Sequence, residues 1–201
     1  MFENLVSQTA SQILSNDILK GTFPSSVLFS GANASGKLTA ALEVARILSC
    51  TGTKKGHWTC ECPSCLQNKA LTYSNILLLG PRECTLEIAA SKDTFIKAYR
   101  DNASYLTATR YLFIRSVRKL TMRFSGILLE GDSNINKIAS IIESLNEYLE
   151  QIDFPYDLPH FDDTVKICEK LFDICLKLES DFLYNSIPIS QIRKKKKWAY
   201  I

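Results

Sequence analysis

Between residues 27 and 48 the chain passes from a short apolar run, through a glycine loop, into an Ala- and Leu-rich segment. That order restricts the architecture sharply. Val27-Leu28-Phe29, bounded by turn residues, predicts a buried strand. Gly31-Ala32-Asn33-Ala34-Ser35-Gly36-Lys37 follows at once and fits G-x-x-x-x-G-K. Its two glycines let consecutive backbone N–H groups converge, and the N-terminus of the next helix adds positive potential, as a phosphate-binding loop requires. Gly31, Ala34, Ser35, Gly36, Lys37, Leu38 and Thr39 are therefore the candidate nucleotide-binding residues, with Lys37 reaching the β- and γ-phosphates. The eighth position of the motif departs from the pattern. Leu38 stands where a Ser or Thr hydroxyl would hold Mg²⁺, and Thr39 lies about 100° further round the helix. An acid pair at the end of an apolar strand is also missing; Glu130 and Asp132 are the nearest candidates. The expectation is that ATP or ADP binds weakly or not at all and is not hydrolysed.

The seven cysteines are unevenly spread. Cys50, Cys60, Cys62 and Cys65 run C-x9-C-x-C-x2-C, and four thiolates in so short a span suit a closed, structural Zn²⁺ site. His57 is an alternative ligand within the same segment, but the four-cysteine set is preferred. The N-terminus carries Glu3 and lacks a basic start leading into an apolar run, so no secretory signal is expected and a disulfide framework is disfavoured. Cys168 and Cys175 sit seven apart in an apolar helical pattern and read as core residues. Cys84 and His160 receive no role.

Ile76-Leu77-Leu78-Leu79 predicts a second buried strand, stopped by Gly80-Pro81. Continuous apolar strands of this kind suit a parallel sheet covered on both faces. From residue 91 the period changes. Phe95, Ile96, Tyr99, Ala103 and Leu106 keep helical spacing. So do Ile135, Ile138, Ile141, Ile142, Leu145 and Leu149, and so do Val165, Cys168, Leu171, Phe172, Cys175, Leu176, Leu178 and Phe182. The fold class read from these patterns is α/β, a parallel sheet with flanking helices, a small zinc knuckle and a mostly helical insertion. Residues 1–91 would form the core start, with the zinc module at 50–65. Residues 92–185 would be the helical insertion and 186–201 a return segment of the core.

Charge excludes some functions. The net charge is +3, but residues 193–197 are five consecutive basic residues; without them 19 basic residues face 21 acidic ones. The body is thus no basic nucleic-acid surface, and the run itself reads as a solvated terminus or a phosphate-contacting patch. No stretch approaches the roughly 18 apolar residues of a membrane span, so no membrane partner and a cytoplasmic location are expected.

A phosphate-loop helix that ends directly in a four-cysteine knuckle resembles the clamp-loader subunits of bacterial DNA polymerase III, in the delta-prime and gamma/tau branch. The similar stretches are the Leu5-Val6-Ser7-Gln8 start, VLFSG at 27–31, AALEVARILSC at 40–50 and the cysteine module. A match resumes at Ile187-Pro188-Ile189-Ser190-Gln191-Ile192-Arg193. The resemblance implies an AAA+ P-loop fold, interrupted by the helical stretch. It implies a subunit of the pentameric ring that opens the sliding clamp and loads it on primed DNA. Its partners would be the sibling subunits (gamma/tau and delta) and the clamp, with primer–template DNA contacted indirectly. Leu38 favours delta-prime, the catalytically silent member, with no ATPase activity of its own. Two departures stand out: Cys60 and Cys62 are separated by one residue where the family has two, and the family's Ser-Arg-Cys motif has no counterpart. The chain is expected to be a truncated product or an N-terminal piece. The alternative is a stand-alone P-loop nucleotide kinase with a helical lid, in which Arg110, Arg115, Arg118 and Arg123 are the nearest approach to a phosphate clamp.

Overall fold

The computed structural model describes residues 1–79, 84–183 and the backbone of 199–200. The chain divides into two compact units, Met1–Ile76 joined by the segment at 199–200, and a helical unit that starts at Leu77.

In the first unit, α1 (Thr9–Lys20) ends where Gly21 turns left-handed, with φ 69°. The N–H groups of Gly21 and Thr22 then satisfy the Ile18 and Asp17 carbonyls, a Schellman-type stop. Helix α2 (Lys37–Ser49) springs from Gly36, also left-handed at φ 79°, and α3 (Pro63–Ala70) opens on a proline, whose missing N–H costs nothing at a first helical position. The core is small: Phe2, Leu14, Val44 and Ile47 are buried, with Leu5, Ile18, Phe23 and Phe29 packed against them.

The predicted strand at Val27-Leu28-Phe29 does not form. The segment is irregular, and Leu28 is 91% exposed. A parallel strand exists only through ladder hydrogen bonds to its neighbours. Among the described residues the only pairing joins β1 (Ile76–Leu77) to β2 (Ala199–Tyr200). The second predicted strand survives as those two residues of β1, with Ile76, Leu77 and Leu78 buried. The predicted stop at Gly80-Pro81, the stretch resembling the family at 187–193 and the basic run at 193–197 lie outside the described residues. The architecture is therefore mostly helical, and the expected parallel sheet is not seen among the described residues.

The helical unit comprises α4 (Thr85–Arg100), α5 (Leu106–Thr121), a 3₁₀ turn at Met122–Phe124, α6 (Ile135–Glu150) and α7 (Phe161–Phe182). Helix α4 packs on α5 and α7, and α6 packs on α7. Helix α4 begins at Thr85, ahead of the residue-91 change in period, and it stops at Arg100 rather than running on to Leu106. There Asn102 takes a positive φ of 45°, a conformation Asn tolerates better than most residues. The chain then restarts as α5, a separate helix the apolar spacing did not resolve. Phe95, Phe113, Val117, Leu120, Leu145, Leu171 and Leu178 are fully buried in one continuous core with Cys168 and Cys175. Leu176, expected inside, is 39% exposed. No helix among the described residues is long and apolar enough to cross a membrane.

Candidate metal centre

Helix α2 delivers Cys50 at its C-terminal end, the loop that follows supplies Cys60 and Cys62, and the first turn of α3 supplies Cys65. The four Sγ atoms lie within 4.8 Å of one another. Cys50 Sγ is 3.7 Å from Cys60 Sγ and 4.0 Å from Cys62 Sγ. Four sulfurs at about 2.3 Å from a tetrahedral Zn²⁺ stand about 3.8 Å apart, so the donor set and its spacing fit a zinc ion, and four cysteines this close can hold one. Cys60 joins the group despite the single residue between it and Cys62. His57 stays outside it: its Nδ1 shares a hydrogen bond with Thr59 Oγ1 at 2.7 Å, and its Nε2 faces Glu3 at 3.5 Å.

The thiols differ in their hold on protons. Burial pushes the Cys62 thiol up, but hydrogen bonds from the Cys65 and Thr51 backbone and from Thr51 Oγ1 outweigh it and bring it down to about 5. For Cys65, burial and the neighbouring thiols push in one direction, up to about 12, against the pull of Arg46. Cys50 is lowered: burial opposes ionisation, and the Gly56 and Gly52 amides overcome it. Metal must displace whatever protons remain, since only thiolates ligate.

Behind the cysteines lies a feature the sequence reading did not single out. Arg46 is 2% exposed and forks onto Glu43, itself 2% exposed, through Nε at 2.9 Å and Nη2 at 2.5 Å. The same guanidinium donates to Gly56 O (2.8 Å), His57 O (3.2 Å) and Cys65 Sγ (3.2 Å). Trp58 lies 5.3 Å from its face, with Lys69 Nζ 5.1 Å from the same ring. Arg46 thus ties α2 to the knuckle loop and sets a positive charge beside the sulfur cluster. The available signal was a Glu and an Arg three apart in an otherwise apolar helix. Gly52 was also missed: a Cβ there would sit 2.5 Å from Cys60 Sγ and 3.7 Å from Cys50 Sγ, so the loop passes the sulfurs only because that side chain is absent.

At the other end of α2 the glycine loop is closed on itself. Lys37 Nζ donates to Ala32 O (2.6 Å), Gly31 O (3.0 Å) and Ser35 Oγ (3.4 Å). Ala34 and Gly36 hold positive φ values of 60° and 79°. Leu38 is half-buried and offers no hydroxyl, and Thr39 is exposed. Glu130 belongs to a turn and Asp132 follows it, so neither ends a strand. The arginines invoked for a kinase are committed elsewhere. Arg110 is buried and donates to the Ile152, Asp153 and Tyr156 carbonyls at 2.6–2.7 Å. Arg118 pairs with Asp153, and Arg115 donates to Tyr111 Oη at 3.2 Å.

A glycine loop opening a helix, the helix ending in a four-cysteine centre, and a helical unit following in the chain define the class of protein. The family described as DNA polymerase III, delta subunit, matches residues 6–147, well over half of the chain, and the chain belongs to that family. Its role is clamp-loader-related, within DNA polymerase III. The match does not stop at the cysteine module but continues through α4, α5 and most of α6. No curated protein and no solved structure matches the chain.

Proposed function

We propose that the chain acts as a catalytically silent clamp-loader subunit of the delta-prime kind. It would occupy a position in the AAA+ ring with gamma/tau and delta siblings, contact the sliding clamp, and meet primer–template DNA only through that assembly. One observation within the family carries the reading: Leu38 occupies the Mg²⁺-hydroxyl position at the start of α2. Residues 31, 34–39 are then a relic phosphate loop with weak or no affinity for ATP or ADP. Cys50, Cys60, Cys62 and Cys65 hold a structural Zn²⁺ that staples α2 to α3. The protein would work in the cytoplasm, with the helical insertion beginning ahead of the 91/92 boundary read from the sequence, since α4 already starts at Thr85.

The test has two arms. The purified, reduced chain should carry about one zinc, lost in Cys62→Ser, and should show no Mg²⁺-dependent ATP turnover. Added to gamma/tau and delta siblings, it should restore ATP-dependent clamp loading, with Lys37→Ala as active as the wild type. ATP turnover by the chain alone, abolished by Lys37→Ala, would sink the silent assignment.

A further inference from the structure

Helix α6 carries apolar side chains on two sides. Ile138, Leu145 and Leu149 are buried in the core. Ile135 and Ala139, spaced four apart, and Ile142, which also packs on the core, line an open groove of about 600 Å³, whose other side is formed by the edge of the buried Phe124 and by Leu129. Along its rim run Glu143, Glu147 and Glu150. All three are exposed, no Lys or Arg lines the groove, and none of the three makes an ion pair among the described residues.

This charge arrangement works against the helix that bears it. Like charges four apart on one face repel. Glu147 and Glu150 also occupy the last turn of α6, which has no basic residue, where the helix dipole already presents negative potential. A lysine at any of the three positions would suit an isolated helix better. The stripe is therefore matched to positive charge brought from outside. Negative potential repels phosphate, which disfavours nucleic acid and anionic membranes as occupants. The rim spans eight residues of helix, a rise of about 10 Å or two turns, the length over which a docked helix presents successive anchors.

We propose that this groove docks a basic amphipathic helical segment of a partner protein. Apolar residues spaced three and four apart fill the floor between Ile135/Ile142 and Phe124/Leu129, and lysines or arginines beside them pair with the three glutamates, in the helix-in-groove mode. The inference does not depend on the ring position proposed above.

The full chain is titrated with a fluorescent synthetic peptide carrying leucines at i, i+4 and i+7 flanked by lysines, and with a scrambled peptide of equal composition. The ordered peptide should bind at micromolar concentration and weaken with added salt. Glu143→Lys/Glu147→Lys/Glu150→Lys should cut affinity about tenfold or more, while Asp173→Lys on α7 leaves it unchanged. Thermal unfolding guards against a folding defect: the triple variant should melt no lower than wild type, because its charges now suit the helix end. Glu147→Lys alone gives the same readout in smaller measure. Equal binding of the scrambled peptide, wild-type binding by the triple variant, or no binding would each overturn the proposal. So would binding that appears only after residues 193–197 are replaced by serines, which would give the groove to the chain's own basic run.

Discussion

Removing one member of the Glu43–Arg46 pair should damage the first unit far more than removing both. Each residue is 2% exposed, so Glu43→Leu leaves a buried guanidinium without its carboxylate and Arg46→Met leaves the carboxylate without its guanidinium. Breaking a buried pair from one side costs about 3–5 kcal/mol. Arg46→Met also leaves the Gly56 carbonyl, which accepts from Arg46 Nη2 at 2.8 Å inside the loop, without its donor, and a buried acceptor left unpaired adds about 1–3 kcal/mol. Glu43→Leu/Arg46→Met removes both charges at similar volume and retains only the carbonyl penalty, about 1–3 kcal/mol. The double-mutant cycle should therefore show a coupling of at least about 3 kcal/mol. Urea unfolding of the zinc-loaded protein, followed by Trp58 fluorescence in a Trp198→Phe background, reads the unit directly because Trp58 stacks on Arg46. Chelator competition gives a second readout. Losing the donor to Cys65 Sγ should weaken zinc about 10–100-fold, and Arg46→Lys should not rescue it, since an ammonium cannot fork onto Glu43 and reach the loop carbonyls together. Single variants that each cost under about 1 kcal/mol, or a double variant equal to their sum, would refute this account of the pair.

Two further outcomes follow from neighbouring geometry. Gly52→Ala should lower zinc affinity in the same chelator assay, because its Cβ meets Cys60 Sγ at 2.5 Å, while Gly126→Ala, with nothing within 4 Å, should leave affinity unchanged. In the helical unit, burial pushes the Cys168 and Cys175 thiols up to about 12, against about 8.5 when unfolded. The folded state keeps these protons while the unfolded chain loses them. Stability is then fully present below about pH 8.5 and falls as pH rises toward 12, by about 2–3 kcal/mol between pH 7.5 and 9.5 for the two thiols together. Urea unfolding monitored by far-UV circular dichroism should show that slope, and Cys168→Ala/Cys175→Ala should flatten it.

What the sequence disclosed and what it withheld divide along the range of the interactions. The helices at 135–150 and 161–182 were legible because a 3.6-residue period is written locally, and the cysteines because ligand spacing is too. Val27-Leu28-Phe29 has the composition of a strand, but a strand is a relation between distant segments, and composition cannot supply the partner. The gap between α4 and α5 rests on one residue, Asn102, that a smooth apolar spacing passes over. Glu43 and Arg46 were hidden for another reason. Charged residues usually point outward, and only the loop folding back over α2 turns this pair into the floor of the four-cysteine cluster.

Helix α2 spans 13 residues, about 20 Å, with the glycine loop at one end and Cys50 at the other. Its two ends are held by different means. The N-terminal end is fixed by Lys37 and the left-handed Gly36, both local to the loop. The C-terminal end depends on the sulfur cluster and on Arg46, whose partners lie 10, 11 and 19 residues away. Withdrawing zinc should therefore loosen one end only. Amide hydrogen exchange after chelation should lose protection in residues 46–70, while residues 31–42 keep theirs within about threefold, a change of about 0.7 kcal/mol in local opening. Loss of protection along the whole of α2 would mean that the metal, and not the loop's own hydrogen bonds, holds the glycine loop in shape.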